Sequence, residues 1–325
     1  MSHFTVLVVG NDVEDQLAPF DENMEMERYI EYTKEQLIEK GRLEIEKYKN
    51  GMYAEYLADP KEYLENCGGN PDDVHYHYIS KEFPNKLNWT DEEVYEDQIK
   101  YYDDDALDED GNAWSTCNST PKWDWYSIGG RWTGMLKLKE GASGHIGTPG
   151  IMTSPAKAGW VDSAKKGDVD FEGMVQAEID RINDFYDKFE RKMQEPVTDA
   201  VLDRCKHQWD TNRWPNKQRK PYPQDEFKNF DEFVSHERKF ENAYNCNIAS
   251  IFDHKIDSRE EAISKIRPLC TFAILKDGEW IERGDMGWWG IVSDEKDSAD
   301  WDQIYQKIFD EIDDNDYITI VDCHI

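Results

Sequence analysis

The sequence predicts an α+β protein whose mixed β-sheet core is built from both chain ends and a central segment. The chain opens on a nearly continuous apolar run, residues 3–10, and closes on a second one, residues 317–323. Short runs rich in β-branched residues are typical of buried strands. The long stretches between them are acidic and largely of helical periodicity, and we interpret them as two insertions into the sheet-forming core.

The charge and the aromatic content limit the classes of protein to which this chain can belong. The 325 residues include 70 Asp and Glu against 38 Lys and Arg, a net charge of −32, and residues 1–115 alone hold 30 acidic and 10 basic residues. Such a surface repels phosphate backbones and anionic membranes, so bulk charge argues against nucleic-acid binding. The 12 Trp residues indicate a folded chain with a sizeable core rather than a disordered acidic one.

The first insertion is predicted to be helical in part. Residues 24–48 carry apolar residues at helical spacing among Glu and Lys pairs, which predicts an exposed amphipathic helix. Residues 52–65 predict another short helix. Residues 72–112 are polar and acidic, and their pattern predicts no element.

A glycine pair predicts a central hairpin. Gly129–Gly130 has the composition of a two-residue turn that needs positive φ, with residues 123–128 and 131–138 as its arms. Strand alternation in that register places Trp125 on a core face and Tyr126 with Arg131 on a polar face.

The second half alternates between loop, helix and strand signals. Residues 140–168, rich in Gly, Ser, Ala and Lys, predict a loop, and residues 171–195 predict a long helix. Asp277–Gly278 predicts a second hairpin, and Ser298 is the predicted N-cap of a helix. The predicted organisation is a core strand in 1–20, an acidic helical insertion in 21–114, a core hairpin in 115–145, a loop and helical insertion in 146–264, and a core hairpin, helix and closing strand in 265–325.

Three segments, together about a tenth of the chain, resemble a known family. They are SHFTVLV at residues 2–8, WYSIGGRW at residues 125–132, and residues 284–294 together with VDCH at residues 321–324. As a set they resemble a family of uncharacterised bacteriophage and prophage proteins. The resemblance implies a phage origin and a role in host takeover or against host defence. It brings no activity and no catalytic residue.

The chain ends hold one candidate site. If the two terminal strands are antiparallel neighbours, His3 and His324 fall together, with Asp322 on the same face. Such a group can bind a divalent metal or perform acid–base chemistry. The alternative is that the strands are not neighbours and one histidine is a surface residue.

The aromatic-glycine blocks hold the other candidate site. Arg131 and Tyr126 can hold an anion and a planar ring, and adjacent Trp288 and Trp289 cannot both be buried on one face of a regular element. The alternatives are an Arg131 paired with Asp124 and a tight core loop around the tryptophans.

These observations favour a non-enzymatic phage accessory protein that binds a small anionic planar ligand, such as a nucleotide-derived immune signal. The alternatives are an acidic decoy for a basic surface of a host defence protein, and a metal-dependent or acid–base hydrolase using the terminal histidines. Dinucleotide, Walker and nucleophile-elbow motifs are missing from the sequence, so no cofactor and no metal are predicted. Scattered cysteines and the lack of a long apolar segment or signal peptide favour the cytoplasm of the infected bacterial host. Self-association is left open.

Overall fold

The computed structural model describes residues 2–214, 221–246 and 258–325, apart from the side chains of Asp104 and Trp288. The chain forms two compact units. Residues 2–16 and 125–325 make up what we call the core unit, and residues 17–124 make up the acidic unit.

The core unit is organised around a mixed sheet of order β10-β9-β1-β13-β4-β6, with β8 also paired to β13. The strands of the chain are β1 (His3–Val9), β2 (Tyr29–Tyr32), β3 (Ala113–Ser115), β4 (Trp125–Gly130), β5 (Leu136–Lys137), β6 (Thr148–Pro149), β7 (Trp160–Val161), β8 (Ser163–Lys165), β9 (Ala273–Lys276), β10 (Glu279–Glu282), β11 (Asp285–Met286), β12 (Val292–Ser293) and β13 (Tyr317–His324).

Helices flank this sheet and fill the acidic unit. They are α1 (Val13–Leu17), α2 (Lys34–Asn50), α3 (Met52–Ala58), α4 (Pro60–Asn66), α5 (Val74–His77), α6 (Phe83–Lys86), α7 (Asp91–Ile99), α8 (Phe171–Gln194), α9 (Asp199–Thr211), α10 (Pro223–Glu226), α11 (Phe230–Asn245), α12 (Arg259–Ser264) and α13 (Ser298–Asp310). The α+β class predicted from the sequence is confirmed. Among the described residues, no helix is long and apolar enough to cross a bilayer.

The two chain ends pair along their whole length. β1 and β13 are antiparallel, with His3 opposite His324 and Val9 opposite Ile318. On its other edge β13 pairs with β4 near its C-terminus and with β8 near its N-terminus. Both terminal strands are therefore central strands, and their apolar composition follows from burial on both faces.

One face of the sheet is covered by α13. Trp301 and Tyr305 of this helix are buried against a cluster that includes Leu7 and Ile320. The Trp301 indole N–H donates to the Thr271 carbonyl at 3.0 Å, so its one polar atom is satisfied within the core. The N-cap is Asp297, whose carboxylate accepts two backbone N–H groups, rather than the predicted Ser298, which is the first helical residue.

Two further predictions are confirmed. β9 and β10 form an antiparallel hairpin across Asp277 and Gly278, whose φ values are 55° and 78°. Positive φ at both positions is what a type I′ turn requires. The predicted long helix is α8, which ends at Gln194.

The predicted hairpin at Gly129–Gly130 is wrong. Both glycines have positive φ, but they end β4, which pairs with β13 and β6 rather than with residues 131–138. Trp125, expected in the core, is 51% exposed. The glycines allow a close approach to side chains, described below. The turn that follows, in which the Trp132 N–H donates to the Gly129 carbonyl at 2.9 Å, does not pair the chain back onto β4.

Residues 140–168, predicted to be a loop, contribute the short strands β6, β7 and β8. β8 enters the central sheet, and β7 pairs with β5. Strands of two or three residues carry no measurable periodicity, so the sequence pattern does not reveal them.

The acidic unit has a small core of its own. Leu37, Tyr95 and Ala113 are buried together, and β2 pairs with β3. α2 begins later than the predicted residue 24, because Thr33 and Gln36 form a capping box at its start. Within residues 72–112, where no element was predicted, the chain forms α5, α6 and α7.

The acidic unit is expected to be removable, because its chain enters and leaves side by side. The Lys122 N–H donates to the Phe20 carbonyl at 2.8 Å, and the Glu22 N–H donates to the Trp123 carbonyl at 2.8 Å. A flexible linker of about four residues in place of residues 23–121 can therefore close the chain at little entropic cost. We expect this variant to unfold in one cooperative thermal transition, with the full-length protein as reference. A broad, non-cooperative melt would contradict it.

Candidate active site

The pairing of the chain ends brings the predicted terminal residues together. His3 begins β1 and His324 ends β13, and the register places them directly opposite each other. Trp125, the first residue of β4, is the partner of His324 on the other edge. Paired residues in adjacent strands share a face of the sheet, and Asp322 shares that face with His324 by alternation. The site therefore lies at one end of the three central strands.

A buried carboxylate orients one of the two histidines. His3 Nδ1 lies 2.8 Å from Asp322 Oδ1, and the side chains of His3 and Asp322 are 13% and 1% exposed. A carboxylate accepts hydrogen bonds, so Nδ1 of His3 carries the proton and Nε2 is its basic atom when the ring is neutral. The His324 ring meets the His3 ring edge-on, with 4.9 Å between centroids.

The second oxygen of the same carboxylate fixes the end of β4. Asp322 Oδ2 accepts the backbone N–H of Arg131 at 2.8 Å. A Cβ atom on Gly130 would lie 2.3 Å from this oxygen, so only glycine leaves room for the contact. Glycine at this position is thus explained by the carboxylate beneath it. Arg131 contributes its backbone amide, and its side chain is exposed.

A second buried carboxylate lies beneath the other glycine. Asp162 is fully buried and accepts the Thr133 hydroxyl at 3.0 Å and the Gly147 N–H at 2.8 Å. A Cβ on Gly129 would lie 2.4 Å from Asp162 Oδ2. Sequence reasoning missed Asp162. Its only signal is an aspartate directly after the apolar Trp160-Val161 pair, and a surface strand gives the same pattern.

The four predicted ligand-binding residues are placed differently. Tyr126 lies opposite Cys323, on the face of β4 away from Trp125. Trp289 is 79% exposed with φ of 66°. The side chain of Trp288 lies outside the part of the chain that the structure describes.

The loop that carries the two tryptophans is tied to the start of β1. The Ser2 hydroxyl donates to the Gly287 carbonyl at 2.8 Å and accepts the Gly290 N–H at 2.6 Å. Ser2 is 4% exposed. These bonds use both the donor and an acceptor position of the hydroxyl, so Ser2 anchors the loop next to His3.

Cys323 is excluded as the nucleophile of this site. It alternates to the opposite face from Asp322 and is fully buried. Burial, and after it the charge of Asp322, raises the pKa of the Cys323 thiol well above its ordinary value. The thiolate is the reactive form of cysteine, so Cys323 is an inert core residue.

The chain shows no similarity to a protein of known function, so its site is interpreted from its geometry. No family model, no curated protein and no solved structure matches the chain. Among the described residues, no group of three or more His, Cys, Asp and Glu side chains is arranged to hold a metal ion.

We expect Gly130→Ala to disrupt the site, because the new methyl group would displace the Asp322 carboxylate. Gly141→Ala is the matched control: its φ of +80° is also positive, but nothing lies within 4 Å of the added Cβ. Each variant bears the backbone strain of about 1 kcal/mol. The Gly130 variant should lose roughly 2 kcal/mol more in urea unfolding, since a buried carboxylate loses a hydrogen bond. Equal losses in the two variants would contradict the close-approach explanation.

The burial of Cys323 predicts selective alkylation. With iodoacetamide at neutral pH the native protein should react at Cys117, which is exposed, and not at Cys323. Both should react in urea, where burial no longer raises the pKa of the Cys323 thiol. Peptide mass spectrometry gives the site occupancies. Rapid native labelling of Cys323 would show that this end of the sheet opens.

Proposed function

We propose that the core unit is an acid–base hydrolase of small phosphoesters, with His3 and His324 as its catalytic residues. The observation that supports the proposal most is the His3–Asp322 hydrogen bond of 2.8 Å beside a second imidazole. Two imidazoles in one site supply a base and an acid near neutral pH without a metal ion.

In the proposed reaction, neutral His3 accepts a proton from water through Nε2 while the water oxygen attacks phosphorus. Protonated His324 donates its proton to the leaving oxygen as the phosphorus–oxygen bond breaks. The two proton transfers balance, and both imidazoles exchange protons with solvent before the next turnover. Asp322 is a positioning residue, because its carboxylate sets the tautomer of His3 and stabilises the imidazolium that forms.

Trp125 extends the site toward a planar substrate group. Its ring lies 6.1 Å from the His3 ring, and 51% of the residue is exposed. An exposed indole beside the reacting groups offers a stacking surface for a base or another ring. A nucleotide-derived signal carries both a phosphoester and such a ring, and its destruction suits the phage accessory role that the resemblance implies.

The other two functions stay predictions. Ligand binding through Tyr126, Arg131, Trp288 and Trp289 stays a prediction, because no contact among the described residues joins Tyr126, Arg131 and Trp289 into one site. An acidic decoy would act through the acidic unit, and its partner binding would weaken steeply with salt because exposed charges are screened within about 8–10 Å.

The proposal predicts hydrolysis of diphenyl phosphate in EDTA with a bell-shaped pH dependence of kcat/KM, since its phenoxide leaving group needs the proton that His324 supplies. The rate falls at low pH as the base is protonated and at high pH as the acid is deprotonated. His3→Gln and His324→Gln should each lower kcat/KM by roughly 10²–10⁴-fold, the usual contribution of a general acid or base. Asp322→Asn should lower kcat more than it raises KM.

His207→Gln is the matched control, because His207 is an exposed residue of α9. It should leave the rate unchanged. The proposal is wrong if the folded His3 and His324 variants keep the wild-type rate, or if EDTA abolishes the activity.

A further inference from the structure

A cavity in the core unit, apart from the proposed hydrolase site, has a lining whose charge differs from that of the chain as a whole. It is an open cleft of about 570 Å³ between α8, residues 262–268 and residues 134–160. This volume is within the range of small-molecule sites, about 300–1,000 Å³. None of the residues of the proposed hydrolase site lines it.

The lining of this cavity is basic. Lys157, Arg181, Lys265 and Arg267 line it, and among the described residues Glu178 is the one acidic lining residue. The whole chain carries a net charge of −32, so a local excess of cations is the reverse of the average surface. A concave wall with an excess of one sign of charge concentrates ligands of the opposite sign.

Ion pairs hold three of these cations in place. Arg181 pairs with Glu178, Lys265 with Glu261 at 2.9 Å, and Arg267 with Asp302 at 3.3 Å. Glu261 and Asp302 do not line the cavity. Lys157 makes no ion pair within the described part of the chain, so its charge is available to a ligand.

An aromatic side chain forms part of the same wall. Trp160 is half-buried and packs against the main hydrophobic cluster. Its backbone is held in β7 by pairing with Lys137. A ring fixed in this way offers a planar group a stacking surface without losing side-chain freedom on binding.

We propose that this cavity binds a small anion that contains a planar ring, of the nucleotide class. Lys157 and Arg267 contact the phosphate groups, and Trp160 stacks on the ring. The site shares no residue with His3, Asp322 or His324, so it goes beyond the proposed hydrolase function and is tested separately from it.

Calorimetric titration of the full chain with ADP, pyrophosphate and adenosine tests the proposal. ADP should bind most tightly, since it alone combines the ring with the diphosphate. Lys157→Glu should weaken ADP binding by roughly tenfold or more, as expected for the reversal of a charge-assisted contact. His3→Gln should leave ADP binding unchanged, which separates this site from the hydrolase site.

Lys206→Glu is the matched control for charge. Lys206 is exposed on α9 and makes no ion pair among the described residues, so its reversal changes the net charge by the same amount. It should alter ADP affinity by less than about twofold, because Lys206 does not line the cavity and salt screens exposed charges. Equal weakening by the two reversals, or no binding of ADP and pyrophosphate at millimolar concentration, would overturn the site. Equal affinity for ADP and pyrophosphate would overturn the role of Trp160.

Discussion

The core unit depends on the two hydrogen bonds that the buried Asp322 carboxylate accepts. An ionised carboxylate removed from water is costly unless hydrogen bonds satisfy its oxygens. One oxygen accepts from His3 and the other from the Arg131 backbone amide, each at 2.8 Å. These two bonds join β1, β13 and the end of β4. The glycine at position 130 and the register of the chain ends both follow from the need to place those donors.

Two acidic residues of this strongly acidic chain are buried in the core unit and do not lie on its surface. The fold buries Asp162 and Asp322 beneath a glycine pair, where each side chain accepts hydrogen bonds from fixed donors. A general base needs such an orienting partner. All residues of the two proposed sites belong to the core unit. Both proposals therefore predict that their chemistry does not require the acidic unit.

Much of the architecture follows from local sequence signals. The terminal strands are long apolar runs, Asp277–Gly278 is an unambiguous I′ turn, and α8 repeats its apolar stripe over many turns. Each signal depends on residues close in sequence, so its interpretation needs no knowledge of tertiary contacts. The sequence was sufficient to predict that His3 and Asp322 lie close together, because both terminal strands could be identified from it.

The rest of the site depends on contacts between distant residues. Gly129–Gly130 has the composition of a hairpin turn, but its glycines make room for Asp162 and Asp322, and no local pattern encodes that approach. The local sequence around Asp162 does not distinguish a buried residue from one on a surface strand. The basic cavity combines Trp160 with Arg181 of α8 and with Arg267, which lie more than 20 and more than 100 positions away in sequence. Tertiary packing alone assembles such a set.

The tautomer of His3 tests the central claim most directly, since the account depends on Asp322 accepting the Nδ1 proton. Long-range ¹H–¹⁵N correlation of imidazole-labelled protein, assigned with His3→Gln, reports which nitrogen of the neutral ring is protonated. The account predicts the Nδ1–H form in the wild type and its loss as the main tautomer in Asp322→Asn. A wild-type His3 in the Nε2–H form, or a tautomer indifferent to Asp322→Asn, would contradict it.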